Sequence, residues 1–91
     1  MYAISFDMVV ADLKKYYGEP YNNAYNEIKE VLRKNDFYWL QGSTYATEKN
    51  LTNLIGAVND LAKIEWFCKS VRDIRGFKIE EWSNFIGFFE K

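Results

Sequence analysis

The chain has 91 residues with 12 Lys and Arg against 13 Asp and Glu, a formal charge of -1. It therefore lacks the basic surplus of strong nonspecific nucleic-acid binders, and any RNA or DNA site must be local. It contains no histidine, which excludes a zinc site and a histidine-based ribonuclease mechanism and leaves carboxylate, hydroxyl, Lys, Arg and Tyr chemistry, a set suited to hard cations such as magnesium.

A 48% hydrophobic content implies a folded chain, and its length implies one domain spanning residues 1–91. Seven Tyr, seven Phe and three Trp exceed what one small core is expected to hide, so a homodimer interface is expected. The lone Cys68 cannot close an intramolecular disulfide, and no stretch reaches the apolar length of a signal peptide or membrane span. A cytoplasmic protein without membrane association is the expectation.

Tyr2 to Asp7 alternates Tyr2, Ile4 and Phe6 with Ala3, Ser5 and Asp7, the period of a half-buried strand. Asp7 falls at its carboxyl end, where ligands approach sheets crossed over by helices, and is the leading catalytic candidate. Its competing use is to begin a turn. Met8 to Tyr17 reads as a long loop with room for one helical turn. Within it Lys14, Lys15, Tyr16 and Tyr17 combine charges that suit phosphate with rings that suit a base.

Pro20 opens a helix whose apolar stripe is Tyr21, Ala24, Tyr25, Ile28, Val31 and Leu32, with Asn35 as the left-handed residue that closes it. Phe37 to Leu40 is an aromatic strand, Gln41 to Ser43 a bend, and Thr44 to Thr47 a short strand. Asn50 caps a second amphipathic helix carrying Leu51, Leu54, Ile55, Val58, Leu61 and Ala62 and ending near Lys63. Ile64 to Ser70 adds a helical turn. Val71 to Glu80 reads as a last strand with an irregularity near Gly76. Trp82, Phe85, Ile86 and Phe89 have the spacing of a short terminal helix that docks on the body or on a second subunit. Trp39, Trp66 and Trp82 are expected as core or interface anchors.

With right-handed crossovers this order gives an α+β domain, a ferredoxin-like βαββαβ sandwich with a short C-terminal helix. Both main helices cover one face of a four-stranded antiparallel sheet. Ala3, Ser5 and Asp7 lie on the other, small enough to admit a second sheet. In a face-to-face dimer two Asp7 carboxylates would approach each other and share a proton or a metal ion.

Met1 to Asp7, the run Gly18, Glu19, Pro20 and Tyr21, Gln41 to Ser43 with Tyr45, and Ser70 to Arg75 resemble the virulence-associated protein D (VapD) family across nearly the whole chain. The resemblance implies a small homodimeric endoribonuclease, similar in fold to the CRISPR-associated nuclease of spacer acquisition, with some members in toxin-antitoxin pairs. It implies Asp7, Ser43 and Asp73 as catalytic residues; the competing uses are a turn residue for Ser43 and exposed salt bridges with the flanking arginines for Asp73. Gly76 stands where the family pattern has Ala.

A mechanism consistent with these residue types cleaves single-stranded RNA. Asp7 serves as general base or metal ligand, with magnesium the fitting ion, and Ser43 and Tyr45 position phosphate or ribose. Lys14, Arg72 and Arg75 bind the substrate and offset charge on the phosphate. The partners expected are a second copy, the RNA and, in a toxin-like member, a small antitoxin protein. The competing reading is a noncatalytic dimeric module that binds RNA or protein.

Overall fold

The structure is a computed structural model and describes residues 1–89. In chain order it contains β1 (Tyr2–Met8), α1 (Val10–Tyr16), α2 (Asn22–Lys34), β2 (Tyr38–Gln41), β3 (Thr44–Thr47), α3 (Leu51–Ala62), α4 (Glu65–Ser70), β4 (Val71–Lys78) and a 3₁₀ turn, Ile86–Phe88. The four strands form one antiparallel sheet in the order β2-β3-β1-β4. This is the ferredoxin-like arrangement expected from the alternation of strands and helices.

The central strand β1 is paired on both sides, with β3 and with β4. Its alternation divides the sheet. Ile4, Phe6 and Met8 are buried under the helices with Leu13, Ile28, Leu32, Leu54, Leu61 and Phe67. Phe6 stacks on Tyr45 with ring centroids 6.2 Å apart and meets Phe67 edge-on at 6.1 Å. These contacts fix the strand that ends in Asp7. Gly76 lies opposite Ile4 on the same covered face, and a Cβ there would stand 3.1 and 3.3 Å from the Leu54 methyls. The absent side chain leaves room for α3 to approach β4.

Met8 to Tyr17 is not a long loop. Val9 starts α1 in extended conformation, and the helix hangs on Leu13, its one fully buried residue. Seven residues with a single buried position show no repeat from which a period could be read. Asp12 in the first turn and Lys14 and Lys15 in the last oppose the helix dipole favourably.

The residue that closes α2 also differs from expectation. Asn35 has φ -101°, and Asp36, at φ 66°, is the left-handed one. The Asn35 amide donates instead to the Val31 carbonyl and to Asp60 Oδ2, both at 3.0 Å, tying α2 to α3. The turn is deferred by one residue. Pro20 precedes the helix, whose N-cap is Tyr21. Asn50 does cap α3, its side chain accepting from the Asn53 backbone N–H at 3.3 Å.

The expected terminal helix is absent among the described residues, where only the 3₁₀ turn forms. The Ile86 N–H donates to Asn84 Oδ1 at 2.9 Å, a side-chain competitor for the helical bond, and Gly87 sits in the middle of the turn. Trp82, Phe85, Ile86 and Phe89 are all exposed. A helix this short needs a surface to pack on; Trp82 and Phe85 border a pocket with Trp39, Leu40 and Ile79, while Phe88 and Phe89 stand exposed.

Candidate active site

Asp7 is on the uncovered face near the end of β1, and its Cα partner on β4 is Asp73. Two in-register residues on one face of adjacent strands stand with Cβ atoms roughly 4.5–5.5 Å apart. Two carboxylates therefore meet at the carboxyl end of β1. Like charges directly opposite are unfavourable in a sheet, and each here has an arginine beside it. The Arg75 Nε donates to both Asp73 oxygens, at 3.1 and 3.3 Å. Arg72 Nη1 stands 3.6 Å from Asp7 Oδ2.

The position of Arg72 follows from a slip in the ladder. Asp7 pairs with Asp73 but Met8 pairs with Val71, so Arg72 is an extra residue opposite no partner. Strict alternation would send Arg72 to the face opposite Asp73. The bulge turns it back towards Asp7. At 3.6 Å it is a charge neighbour without a full hydrogen bond, so its N–H groups remain free for another acceptor. The Asp7 and Arg72 side chains are 61% and 63% exposed, and ion pairs so open contribute at most about 1 kcal/mol to stability.

Lys14 lies on α1, which begins three residues after Asp7, with its Nζ 5.6 Å from the centre of the Tyr21 ring. Ser43 occupies the β2–β3 turn next to Gly42 (φ 47°), and the Trp39 Nε1–H donates to the Gly42 carbonyl at 2.9 Å. The Ser43 carbonyl accepts from the Phe6 N–H at 3.1 Å, so Ser43 stands opposite Phe6 with the parity of the covered face. Tyr45 is buried in the core with its ring stacked on Phe6, and burial raises its phenol above the ordinary value. The structure thus gathers Asp7, Asp73, Arg72 and Arg75 into one patch. It does not bring the Ser43 and Tyr45 side chains into that patch.

Tyr25, read from sequence only as part of an apolar stripe, belongs to the surroundings of the patch. Burial raises its pKa first, and the charges of Tyr21 and Asp7 raise it further, so the phenol stays protonated and able to donate. Two tyrosines one helical turn apart, directly after Pro20, were the available signal. For a cation, no group of three or more His, Cys, Asp or Glu converges among the described residues. Asp7 and Asp73 provide a pair of hard oxygen donors, which suits magnesium because that ion takes one or two carboxylates and keeps several waters.

A family model described as CRISPR associated protein Cas2 matches residues 1–85. The chain is 55% identical over 86 residues to a protein of Dichelobacter nodosus named Endoribonuclease VapD, covering 93% of this chain and 92% of that protein. It is 50% identical over 88 residues to the Endoribonuclease VapD of Helicobacter pylori, covering 93% and 94%. With the Endoribonuclease VapD of Haemophilus influenzae it shares 44% over 89 residues, covering 97% of each.

Proposed function

The chain belongs to the Cas2 family, beside the VapD endoribonucleases, and we propose that it is an endoribonuclease that cuts single-stranded RNA at the patch formed by Asp7, Asp73, Arg72 and Arg75. The observation that carries this reading is the in-register carboxylate pair with Arg72 turned onto it by the bulge. An exposed pair of like charges is unfavourable for folding alone, and carboxylates able to take a proton beside guanidiniums able to hold a phosphate are what phosphodiester cleavage requires.

In the proposed reaction Asp7 accepts the proton of the attacking hydroxyl as its oxygen bonds to phosphorus, and the bond from phosphorus to the leaving oxygen breaks. Arg72 and Lys14 offset the charge that gathers on the phosphate. Asp73, gripped by Arg75, keeps its oxygens turned to the same face. In the alternative role of Asp7 as a ligand, it and Asp73 would hold a hydrated magnesium ion, which when bound would supply charge to the phosphate oxygens. Ser43 joins this reading as a residue that shapes the turn beside the site.

A homodimer is part of the proposal. The chain exposes 6343 Å², whereas a compact monomer of this size exposes about 5,500 Å². The excess is near the roughly 800 Å² that one partner contributes to a standard interface. The aromatic segment after β4 accounts for much of it, with Phe88 82% and Phe89 72% exposed. A cytoplasmic toxin paired with a small antitoxin is the setting that fits the family.

The test is incubation of a labelled single-stranded RNA with wild type and with Asp73→Asn, with magnesium and with chelator. Cleavage by wild type and at least hundredfold slower cleavage by the variant are expected. RNA binding with no cleavage by wild type would favour the noncatalytic module.

A further inference from the structure

With a net charge of -1, affinity for RNA must come from a place where cations converge, and the junction of α1 and α4 is such a place. Lys15 on α1 and Lys69 on α4 bring their ammonium groups to the same ring, with Nζ atoms 5.1 and 5.2 Å from the centre of Tyr16. Lys69 is held by Glu65 at 2.8 Å, while Lys15 has no carboxylate within ion-pair distance among the described residues. Tyr16 is an exposed residue, and it borders a cavity of about 250 Å³ that Glu65, Trp66 and Lys69 complete.

The two helices are joined firmly. Tyr17 meets Trp66 edge-on at 4.9 Å, and the Val9 N–H donates to the Ser70 carbonyl at 2.8 Å. That same joint fixes the platform relative to the site, because Val9 is two residues from Asp7 and Ser70 two residues from Arg72. From Val10 to Tyr16 the helix advances about 9 Å. Tyr16 thus stands at the far end of a helix that starts three residues after Asp7, on the path an RNA strand would take away from that strand end.

We propose that Tyr16, Lys15 and Lys69 form a flanking-nucleotide subsite, in which an unpaired base of the RNA stacks on the Tyr16 ring and the two ammonium groups take the phosphates on either side. This rests on the endoribonuclease reading and adds to it the direction in which the substrate leaves the site. An aromatic face flanked by lysines is the sequence-tolerant way of holding single-stranded RNA, since every base has a face to stack and every nucleotide a phosphate. Glu65 offsets the charge of Lys69, whereas Lys15 has no such partner among the described residues and is the cation freer to take a phosphate.

The experiment compares wild type, Tyr16→Ala, Tyr16→Phe and the double variant Lys15→Ala with Lys69→Ala. Each is assayed for cleavage of a long and a minimal oligoribonucleotide, and each is also made in an Asp7→Asn background for binding of the long fluorescent RNA. Tyr16→Ala is expected to raise KM for the long RNA about tenfold with kcat unchanged, to leave the minimal substrate unaffected, and to be rescued by Tyr16→Phe. In the double variant the slope of log affinity against log salt is expected to fall by roughly 0.7 for each phosphate contact removed. Cleavage of the long RNA with unchanged KM in Tyr16→Ala, or an unaltered salt slope in the double variant, would overturn the subsite and leave the endoribonuclease reading standing. Normal wild-type binding without cleavage would overturn that reading, and the binding arm would still decide the subsite.

Discussion

Arg72→Ala separates a working guanidinium from a decorative one. Arg72 Nη1 lies 3.6 Å from Asp7 Oδ2, with both side chains more than 60% exposed, so the pair adds no more than about 1 kcal/mol to stability. In a domain of this size that is a melting shift of about 4–8 °C at most. The kinetic effect follows from a different quantity. A donor preorganised for charge that develops on phosphate is worth about 2.7–4 kcal/mol of barrier, a factor of about 100 to 1,000 in kcat. Arg75 provides the contrast, because its Nε is already engaged by both Asp73 oxygens at 3.1 and 3.3 Å, and Arg75→Ala should cost less than Arg72→Ala. Arg72→Lys keeps the charge but not the planar fork, and should recover only part of the rate. The measurements are kcat/KM on a labelled RNA and thermal melting of all four proteins. If Arg72→Ala cleaves within about threefold of wild type, or melts far lower while cleaving poorly, the bulged arginine serves the fold rather than the phosphate.

Ser5→Trp places a large ring on the uncovered face beside the Ser5–Thr44 hydroxyl contact of 3.4 Å, and should weaken a sheet-to-sheet dimer measured by light scattering. An unchanged dissociation constant would move the interface to the aromatic segment after β4. The phenol of Tyr45 has its pKa raised by burial. The folded protein therefore keeps that proton above pH 10 when the unfolded chain has released it, so stability is fully present below about pH 10 and is lost as pH rises further. Denaturant midpoints measured on either side of that pH should fall, and Tyr45→Phe should make the fall shallower. An equally steep fall in Tyr45→Phe would assign the slope to other groups such as Tyr25, which shifts in the same direction.

The alternation of Tyr2, Ile4 and Phe6 with Ala3, Ser5 and Asp7 was enough to predict the central strand, its covered face and the position of Asp7. The stripe of Ala24, Ile28 and Leu32 likewise gave α2. Both signals repeat over several residues. α1 has only Leu13 to bury, so its extent as a two-turn helix was not legible, only room for a single turn. The terminal aromatics had helical spacing, but spacing says nothing about whether a surface exists to receive the helix. The site divides in the same way. Asp7 could be singled out from its strand end, whereas its pairing with Asp73 depends on the β1–β4 register and the reach of Arg72 on a one-residue slip. Tyr45 stood in a recognisable run but points into the core, a matter of strand parity that the run alone did not settle.

Cleavage of a labelled single-stranded RNA and thermal melting, measured side by side on wild type and Asp7→Asn, test the role of Asp7 most directly. Asn keeps the shape of the side chain and loses its charge. The change removes an exposed ion pair with Arg72 and also the like charge facing Asp73. Both effects are at most about 1 kcal/mol and oppose each other. The melting temperature should therefore stay within a few degrees of wild type or rise slightly, about 4–8 °C per kcal/mol setting the scale, while cleavage is abolished. A mutant that melts lower and still cuts RNA would make Asp7 a structural residue and remove the basis for placing the reaction at this end of the sheet.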